Sequence, residues 1–396
     1  MTSLTRIGVD ATSWVNRRGY GRFARNAIGR LVALDGDTTY VLVIDEESAR
    51  TAELPPGAEQ LRVSLSRVPS EAASADSFRP PGDLVRLGAA VSRARFDAFL
   101  FPSVYTYFPS VRVPTVVGLH DLIAEDFPEL TLPSRRSRVF WGVKQQLAVR
   151  LARRLFTVSE AARQEISARL RIPAEKLAVV PEAPDPVFRA RPHAEVEREL
   201  TAVGLAAGEP YLLYASGISP HKNVETLLEA YASIRRSGPI ALKLVVAGAL
   251  DDAFLSAADS VRARIDQLEI GDGVLLPGFV SDDALACLYT GATAVVVPSL
   301  AEGFGLPAVE AAACGAPVVL SDIPAHRETM GDEALFFSAR DPDELSERIL
   351  RLLGSDMLRR SLAERGHRRA ARFTWDASAE ALRDVLHSAV KGAPRG

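Results

Sequence analysis

The run AEGFGLPAVE, residues 301–310, sets two carboxylates, Glu302 and Glu310, around Gly303, Gly305 and Pro307. Pro307 suits the first turn of a helix, where its missing N–H is no loss. The two glycines let the backbone approach a ligand closely or take positive φ. Glu302 then sits in the loop and Glu310 about one turn into the helix. Such a pair can hold two parts of one polyhydroxylated ligand, because a carboxylate accepts bidentate bonds from neighbouring hydroxyls. Singly, Glu310 reads as a favourable charge near a helix N-terminus and Glu302 as a solvated loop residue. Together with the glycines, the ligand reading overtakes both.

Three more stretches carry chemistry. In GISPHKNVETLLEAY (217–231), Asn223 reads as an N-cap, with Pro220, His221 and Lys222 just ahead of it. A helix N-terminus with a lysine at its mouth is a ready anion site, although a lysine there is more often only a surface residue. The G-x-x-x-x-G-K spacing of a Walker A loop is absent. In HDLIAEDFPEL, His120 follows an apolar strand and should stand where ligands bind, unless it is a structural histidine capped by Asp121. Gly19-Tyr20-Gly21-Arg22-Phe23-Ala24 matches G-x-G-x-x-A, with Asp45 ending the next strand. Residues 11–18 separate it from Asp10, however, and the dinucleotide fingerprint needs a tight turn. A glycine-rich loop that closes on a ligand is the better reading.

The elements that must position these residues form two series. Short apolar runs at 6–9, 39–44, 96–101, 115–119 and 154–158 read as strands, with helices at 21–34, 83–94, 134–151 and 159–170. A second series has strands at 211–216, 242–248, 273–278, 294–299 and 317–321, with helices at 223–236, 253–268, 281–290, 307–314 and 341–353. Continuous apolar strands alternating with helices imply parallel sheets covered on both faces, and two such series imply two doubly wound α/β domains. In these folds ligands bind beyond the carboxyl ends of the strands, where all of the residues above fall. The Pro-rich stretch 179–197 is the natural linker. Residues 50–82, rich in Pro, Ser and Ala, read as a mobile excursion.

Composition narrows the class. The 396 residues are long for one core, and 47% hydrophobic with 24% charged residues describes an ordinary globular protein. A net charge of −3 gives no global reason to expect nucleic acid. Cys287 and Cys314 are the only cysteines, so there is no disulfide framework, which fits a reducing compartment. No apolar run is long enough to span a bilayer and the N-terminus lacks a signal pattern; the expected location is the cytoplasm. The Asp pairs at 251–252 and 282–283 read as helix caps, and His and Cys lack zinc spacing.

The chain resembles the retaining glycosyltransferases of family 4 over essentially its whole length. The resemblance rests on EGFGLPAVE followed by AAACGAPVVLSD and GDEALFF, and on GYGRFARN, LHDL, TVSEAARQEI, SPHKN and FTWDASAEALRDVL. It implies a GT-B fold, in which two Rossmann-like domains face a central cleft. The expected domains are 1–188, onto which a C-terminal helix in 374–396 packs back, and 189–373, which binds the nucleotide sugar. That helix would dock through Ala377, Ala381, Leu382, Val385 and Leu386.

By the same resemblance Glu310 would hold the donor ribose. Glu302 and the amides around Gly303, Phe304, Gly305 and Leu306 would hold the donor sugar, and Lys222 the diphosphate, with Gly217 and His221 beside it. His120 would sit by the transferring sugar and Gly21 would line the loop over the phosphates. His120, Glu302 and Lys222 are the expected catalytic groups.

Two departures stand out. His221 occupies a position that is arginine in many relatives, which would make the cationic clamp weaker or pH-sensitive. PEAPD (181–185) replaces their PNGVD. A lysine and helix amides in place of a divalent metal imply metal independence and no cofactor, with a nucleotide-diphosphate sugar as donor. Mannosyl from GDP-mannose is favoured, passing to a glycan, glycolipid or small-molecule acceptor.

From Leu130 to Ser159 there is no acidic residue and seven basic ones, Arg135, Arg136, Arg138, Lys144, Arg150, Arg153 and Arg154. They read either as a solvated helix face or, across 135–154, as a contact with an anionic membrane or lipid-linked acceptor. The rival readings are a nucleotide-sugar epimerase or hydrolase of the same fold, a catalytically silent nucleotide-sugar sensor and, on the G-x-G-x-x-A match, an NAD-dependent oxidoreductase.

Overall fold

The computed structural model describes residues 5–16, 19–66, 79–110, 112–132, 134–238, 241–248 and 255–391. The chain divides into two compact units, one made of residues up to Glu182 together with those from Thr374 onward, the other of Ala183–Phe373.

The first unit holds a seven-stranded sheet. Its strands are β1 (Thr5–Asp10), β2 (Thr38–Asp45), β3 (Glu59–Val63), β4 (Ala98–Phe101), β5 (Thr115–Gly118), β6 (Arg154–Thr157) and β7 (Leu177–Val179). They lie in the order β3-β2-β1-β4-β5-β6-β7, and every pairing is parallel. The second unit holds β8 (Tyr211–Ala215), β9 (Lys243–Ala247), β10 (Val274–Gly278), β11 (Ala294–Val297), β12 (Val318–Ser321) and β13 (Leu335–Phe337), in the order β10-β9-β8-β11-β12-β13, again all parallel. Both sheets therefore have the doubly wound order, with a point where the winding reverses: β1/β4 in the first and β8/β11 in the second.

The strand cores follow from the continuous apolar runs. All four residues of β4, β5, β11 and β12 are buried, as a sheet covered on both faces requires. The first core gathers Val43, Leu87, Phe99, Phe101, Val117, Leu155 and Ile166, the second Leu212, Leu227, Leu244, Val296, Val319 and Leu345.

Several expectations are corrected. The 179–197 linker is partly ordered element: Val179 ends β7, and a helix begins at His193 and runs to Ala202. The 50–82 excursion carries the end of a one-turn helix, Ser48–Thr51, and the edge strand β3; residues 67–78 lie outside the described residues. So do Asp251 and Asp252, whereas Asp282 and Asp283 lie in a first helical turn whose cap is Ser281, accepting from the Ala284 amide at 3.2 Å.

The C-terminal helix, Trp375–Lys391, packs on the first unit. Trp375 lies edge-on to Phe23, Asp376 pairs with Arg30, Ser378 Oγ donates to the Pro181 carbonyl, and Arg154 Nε donates to Ser388 Oγ. Its buried face is Trp375, Ser378, Ala379, Leu382, Val385, Leu386 and Ala389; Ala377, expected in that stripe, is exposed because the face begins two positions earlier, at Trp375, and resumes at Ser378.

Candidate active site

The second unit brings most of the expected residues together around the reversal point of its sheet. Lys222 ends a one-turn 3-10 segment after β8, and Glu302 lies in the loop after β11. The Leu300 amide donates to the His221 carbonyl at 2.7 Å, so the two loops are tied by backbone. Lys222 Nζ donates to Glu302 Oε1 at 2.7 Å, and Ser299 Oγ donates to the same oxygen at 2.7 Å. The two charged side chains are only 16% and 9% exposed.

Burial alone would raise the Glu302 carboxyl. The Lys222 ammonium, His326 and the hydrogen bonds from Lys222 and Ser299 outweigh it, and hold the group below the usual carboxylate range. Burial, then the Lys222 charge, pushes the His221 imidazole down to about 4. His221 is thus neutral at physiological pH, so the departure from arginine removes a charge and adds no titration near pH 7.

Asn223 holds the expected N-cap position, but its side chain makes no cap hydrogen bond because the residue is itself in the left-handed region, at φ 57°. Its amide nitrogen instead donates to the Pro298 carbonyl at 2.9 Å and the Ala339 carbonyl at 2.6 Å, joining the ends of three strands.

The helix after Glu302 runs Leu306–Ala313, and Gly305, at φ 90°, precedes it. Gly303, Phe304 and Gly305 are buried and Leu306 half-buried. Phe304 packs edge-on against Phe373 at 5.2 Å, which anchors the loop and leaves only its backbone for a ligand. Glu310 is 5% exposed on that helix. Gly217 is exposed with open space where a side chain would be, and its carbonyl accepts from Tyr214 Oη at 2.8 Å.

His326 is a site residue that the sequence reading missed. It follows β12, so looking just past every strand would have found it. It is fully buried; its Nδ1 lies 3.0 Å from the Ser321 carbonyl, which can only accept, so Nδ1 carries the proton. Among the described residues Nε2 has no hydrogen-bond partner, and it faces Gly305: a Cβ there would meet His326 Cδ2 at 2.8 Å and Nε2 at 3.3 Å. Burial lowers the His326 pKa, against the pull of Glu302.

Gly305→Ala combines that clash with a backbone conformation costing roughly 1–2 kcal/mol for an L-residue. The variant is expected to melt lower and to bind nucleotide at least about tenfold more weakly, because the Glu302 loop must shift. Unchanged melting and binding would show that the loop tolerates a side chain there.

The first unit holds His120 and Gly21. His120, after β5, donates Nε2–H to the Pro102 carbonyl at 2.8 Å, and Nδ1 lies 3.7 Å from Glu182 Oε1. Its ring packs edge-on against Phe23 at 5.0 Å. Burial would lower its pKa, but Glu182 and the Pro102 carbonyl outweigh that and hold it above the ordinary histidine value. Asp121 Oδ1 accepts from the Ile123 amide at 3.0 Å, and its charge adds to the rise of the His120 pKa. Glu182, part of the PEAPD departure, therefore supplies the histidine with a carboxylate neighbour.

Gly21 is not in an open loop. Residues 19–23 are helical, and a Cβ at Gly21 would meet the Asn16 carbonyl at 2.1 Å. The glycine is required by close approach of the chain to itself.

Among the described residues, no three His, Cys, Asp or Glu side chains converge as a metal ligand set would. A cavity of about 480 Å³ opens beside Pro210, Thr293 and Pro317, at the amino ends of β8, β11 and β12 and away from this chemistry.

A doubly wound α/β protein with its polar groups at a sheet reversal point is the class that this fold and site define. Residues 17–187 match the family described as Glycosyltransferase Family 4, and residues 196–369 that described as glycosyl transferases group 1. The chain is 30% identical over 282 residues to O-antigen chain mannosyltransferase B of Escherichia coli, covering 71% of this chain and 72% of that one. It is 31% identical over 221 residues to the D-inositol 3-phosphate glycosyltransferase of Segniliparus rotundus, covering 55% of this chain and 48% of that one. Its fold is similar to that of Anabaena Alr3699/HepE in complex with UDP-glucose, with TM-score 0.75, 17% identity and coverage of 97% and 99% of the two chains. The chain belongs to the family 4 glycosyltransferases, and its fold is GT-B, two Rossmann-like α/β units.

Proposed function

We propose that the protein transfers a hexosyl group, with retained configuration, from a nucleotide-diphosphate sugar to a glycan, glycolipid or small-molecule acceptor. The observation that carries this reading is the Lys222–Glu302 pair beside the Gly305-led helix that bears buried Glu310. Without a donor, Lys222 is neutralised by Glu302. A diphosphate is the stronger partner for the ammonium. When it takes Lys222, the Glu302 carboxylate is released to accept hydroxyls of the donor sugar, while Glu310 accepts those of the ribose.

Departure of the nucleoside diphosphate leaves an oxocarbenium-like centre, stabilised by fixed charges and dipoles. The leaving phosphate oxygen takes the acceptor's proton as the acceptor oxygen bonds to the same face of the sugar. His120, with Nε2 occupied by Pro102, orients the sugar through its Nδ1 side. Lys222 and the helix amides make a divalent metal unnecessary. GDP-mannose is the favoured donor, in keeping with the mannosyltransferase name of the Escherichia coli relative; the second relative's name specifies another reaction.

A panel of nucleotide sugars, assayed for slow hydrolysis with and without EDTA, tests donor and metal together. Glu310→Ala removes charge-assisted bonds of roughly 1.5–3 kcal/mol, so nucleoside diphosphate affinity should fall about ten- to a hundredfold with the fold intact. Calorimetry showing no change would remove Glu310 from the ribose role.

The helix Arg135–Leu151 supports a membrane contact, although the basic stretch does not act as one surface. Lys144 turns inward, its Nζ donating to the Tyr105 carbonyl at 2.5 Å, and Arg154 is held by Ser388. Val139, Val143, Leu147 and Leu151 are exposed at successive helical turns, with Arg135, Arg136 and Arg150 exposed on the same side. An apolar stripe edged by arginines is what an anionic bilayer surface takes up. Val139→Glu with Val143→Glu is expected to abolish sedimentation with phosphatidylglycerol vesicles and leave the hydrolysis of free donor unchanged. Sedimentation that survives the double substitution would refute the contact. Among the described residues, no helix is long and apolar enough to cross a membrane.

A further inference from the structure

The second sheet places its charged groups at the β8/β11 reversal point. The corresponding point of the first sheet, β1/β4, also carries charge. Asp10 ends β1; its Oδ1 accepts from the Thr12 amide at 3.0 Å and from Thr12 Oγ1 at 2.6 Å. Arg79 Nη2 donates to Thr12 Oγ1 in turn. Just past β4, the Tyr105 carbonyl holds Lys144 Nζ. Arg79 and Asp10 are 8% and 1% exposed, yet among the described residues Arg79 Nη1 and Asp10 Oδ2 are both buried with no hydrogen-bond partner.

Two cations thus stand near one carboxylate, Arg79 linked to it through Thr12 Oγ1 and Lys144 feeling its charge. Burial first, and then the charge of Arg79, push the Lys144 ammonium down to about 7, against the opposing pull of Asp10. An unpartnered guanidinium nitrogen beside a half-buried lysine is costly unless an anion completes it. Tyr20, Tyr105 and Trp141 continue from this point as a run of rings, with centroids 5.5 and 5.1 Å apart, and Lys144 lies over Trp141 at 5.6 Å.

We propose that Arg79 and Lys144 form a second ligand site, at the carboxyl ends of β1 and β4, that binds a phosphoryl group carried by the acceptor. The Arg79 fork and the ammonium hold phosphoryl oxygens. The free Asp10 oxygen accepts a neighbouring hydroxyl, and the aromatic run offers a face to the ring bearing it. This deepens the proposed transferase reading and rests on it: the first unit would select an acceptor that is a phosphorylated polyol or sugar, either soluble or carried on a lipid.

The test uses the full chain and inorganic phosphate as probe, titrated by calorimetry into the wild type, Arg79→Gln, Arg79→Lys, Lys144→Met and Lys222→Ala. Phosphate binding should persist in Lys222→Ala, weaken about tenfold or more in Arg79→Gln and Lys144→Met, and be partly restored in Arg79→Lys. Near pH 8 the binding should take up a proton, because the incoming anion restores the Lys144 ammonium, and Lys144→Met should lose that uptake. Equal phosphate affinity in the wild type and Arg79→Gln, with both folded by circular dichroism, would overturn the proposal. So would binding that vanishes only with Lys222→Ala.

The donor reading is judged separately, by nucleoside diphosphate affinity in Lys222→Ala, and can fail while the second site stands. Competition against bound phosphate in the Val139→Glu, Val143→Glu background distinguishes the sources. Displacement by phosphatidylglycerol vesicles assigns a lipid-borne phosphoryl group, and displacement by glycerol phosphate alone assigns a soluble one.

Discussion

Lys222→Ala is expected to lower turnover about a hundred- to a thousandfold, the usual effect of deleting one group that stabilises transition-state charge. It should also change how stability depends on pH. In the wild type Glu302 is held below the usual carboxylate range. Its contribution is therefore present above the ordinary carboxyl pKa and is lost as pH falls through the depressed value. Without the ammonium, burial becomes the dominant influence and raises the carboxyl instead. The variant then loses stability as pH rises, since a buried charge is left with only Ser299 and His326 to favour it. Breaking such a pair costs roughly 3–5 kcal/mol at neutral pH. Melting curves from pH 4 to 8 should diverge, with the variant relatively most stable in acid. Lys222→Met with Glu302→Gln should recover melting temperature but not turnover. Parallel melting curves for Lys222→Ala and the wild type would show that the pair carries no such coupling.

Removing residues 374–396 is expected to unfold the first unit. Trp375, Leu382, Val385, Leu386 and Ala389 are all buried against it. Four large apolar side chains at roughly 1.5–3 kcal/mol each amount to about 6–12 kcal/mol, comparable with the whole stability of a domain. Transfer should vanish, and the shortened chain should bind a hydrophobic dye. The second unit, Ala183–Phe373, is contiguous in sequence and contains Lys222, Glu302 and Glu310. Made alone, it should keep nucleoside diphosphate affinity. A 1–373 chain with full transfer activity would show the helix to be dispensable.

The elements that the sequence announces clearly are those buried on both sides. Runs such as AVVV and VVLS lie in sheet interiors, where nothing but apolar side chains fits. The missed strands β3, β7 and β13 are all sheet edges; β7 and β13 have three residues each, and β3 is half polar. A short run that pairs on one side leaves no periodic signature. The site divides in the same way. Lys222 and Glu302 are legible because each lies in the connection that follows a strand, but their mutual ion pair is not, because 80 residues separate them. Arg79 and Lys144 are illegible as a pair for that reason too: one lies just ahead of a helix and the other inside a different one. Gly21 shows the opposite failure. Its spacing suggested a ligand loop, whereas the close approach it permits is to the carbonyl of Asn16.

The Trp375–Lys391 helix sets a timetable for synthesis. It is made after the whole second unit, yet it completes the unit that precedes it. When Glu182 has emerged from the ribosome, the sheet face that this helix covers is still bare. At about 5–20 residues per second, the remaining 214 residues (183 to 396) take roughly 10–40 s to follow. For that interval the nascent first unit must wait with Phe23 and β6 uncovered, while the second unit, encoded without interruption, can close on its own. A chaperone that shields apolar surface on nascent chains would have its target in the earlier-made half, and release would coincide with the emergence of this helix.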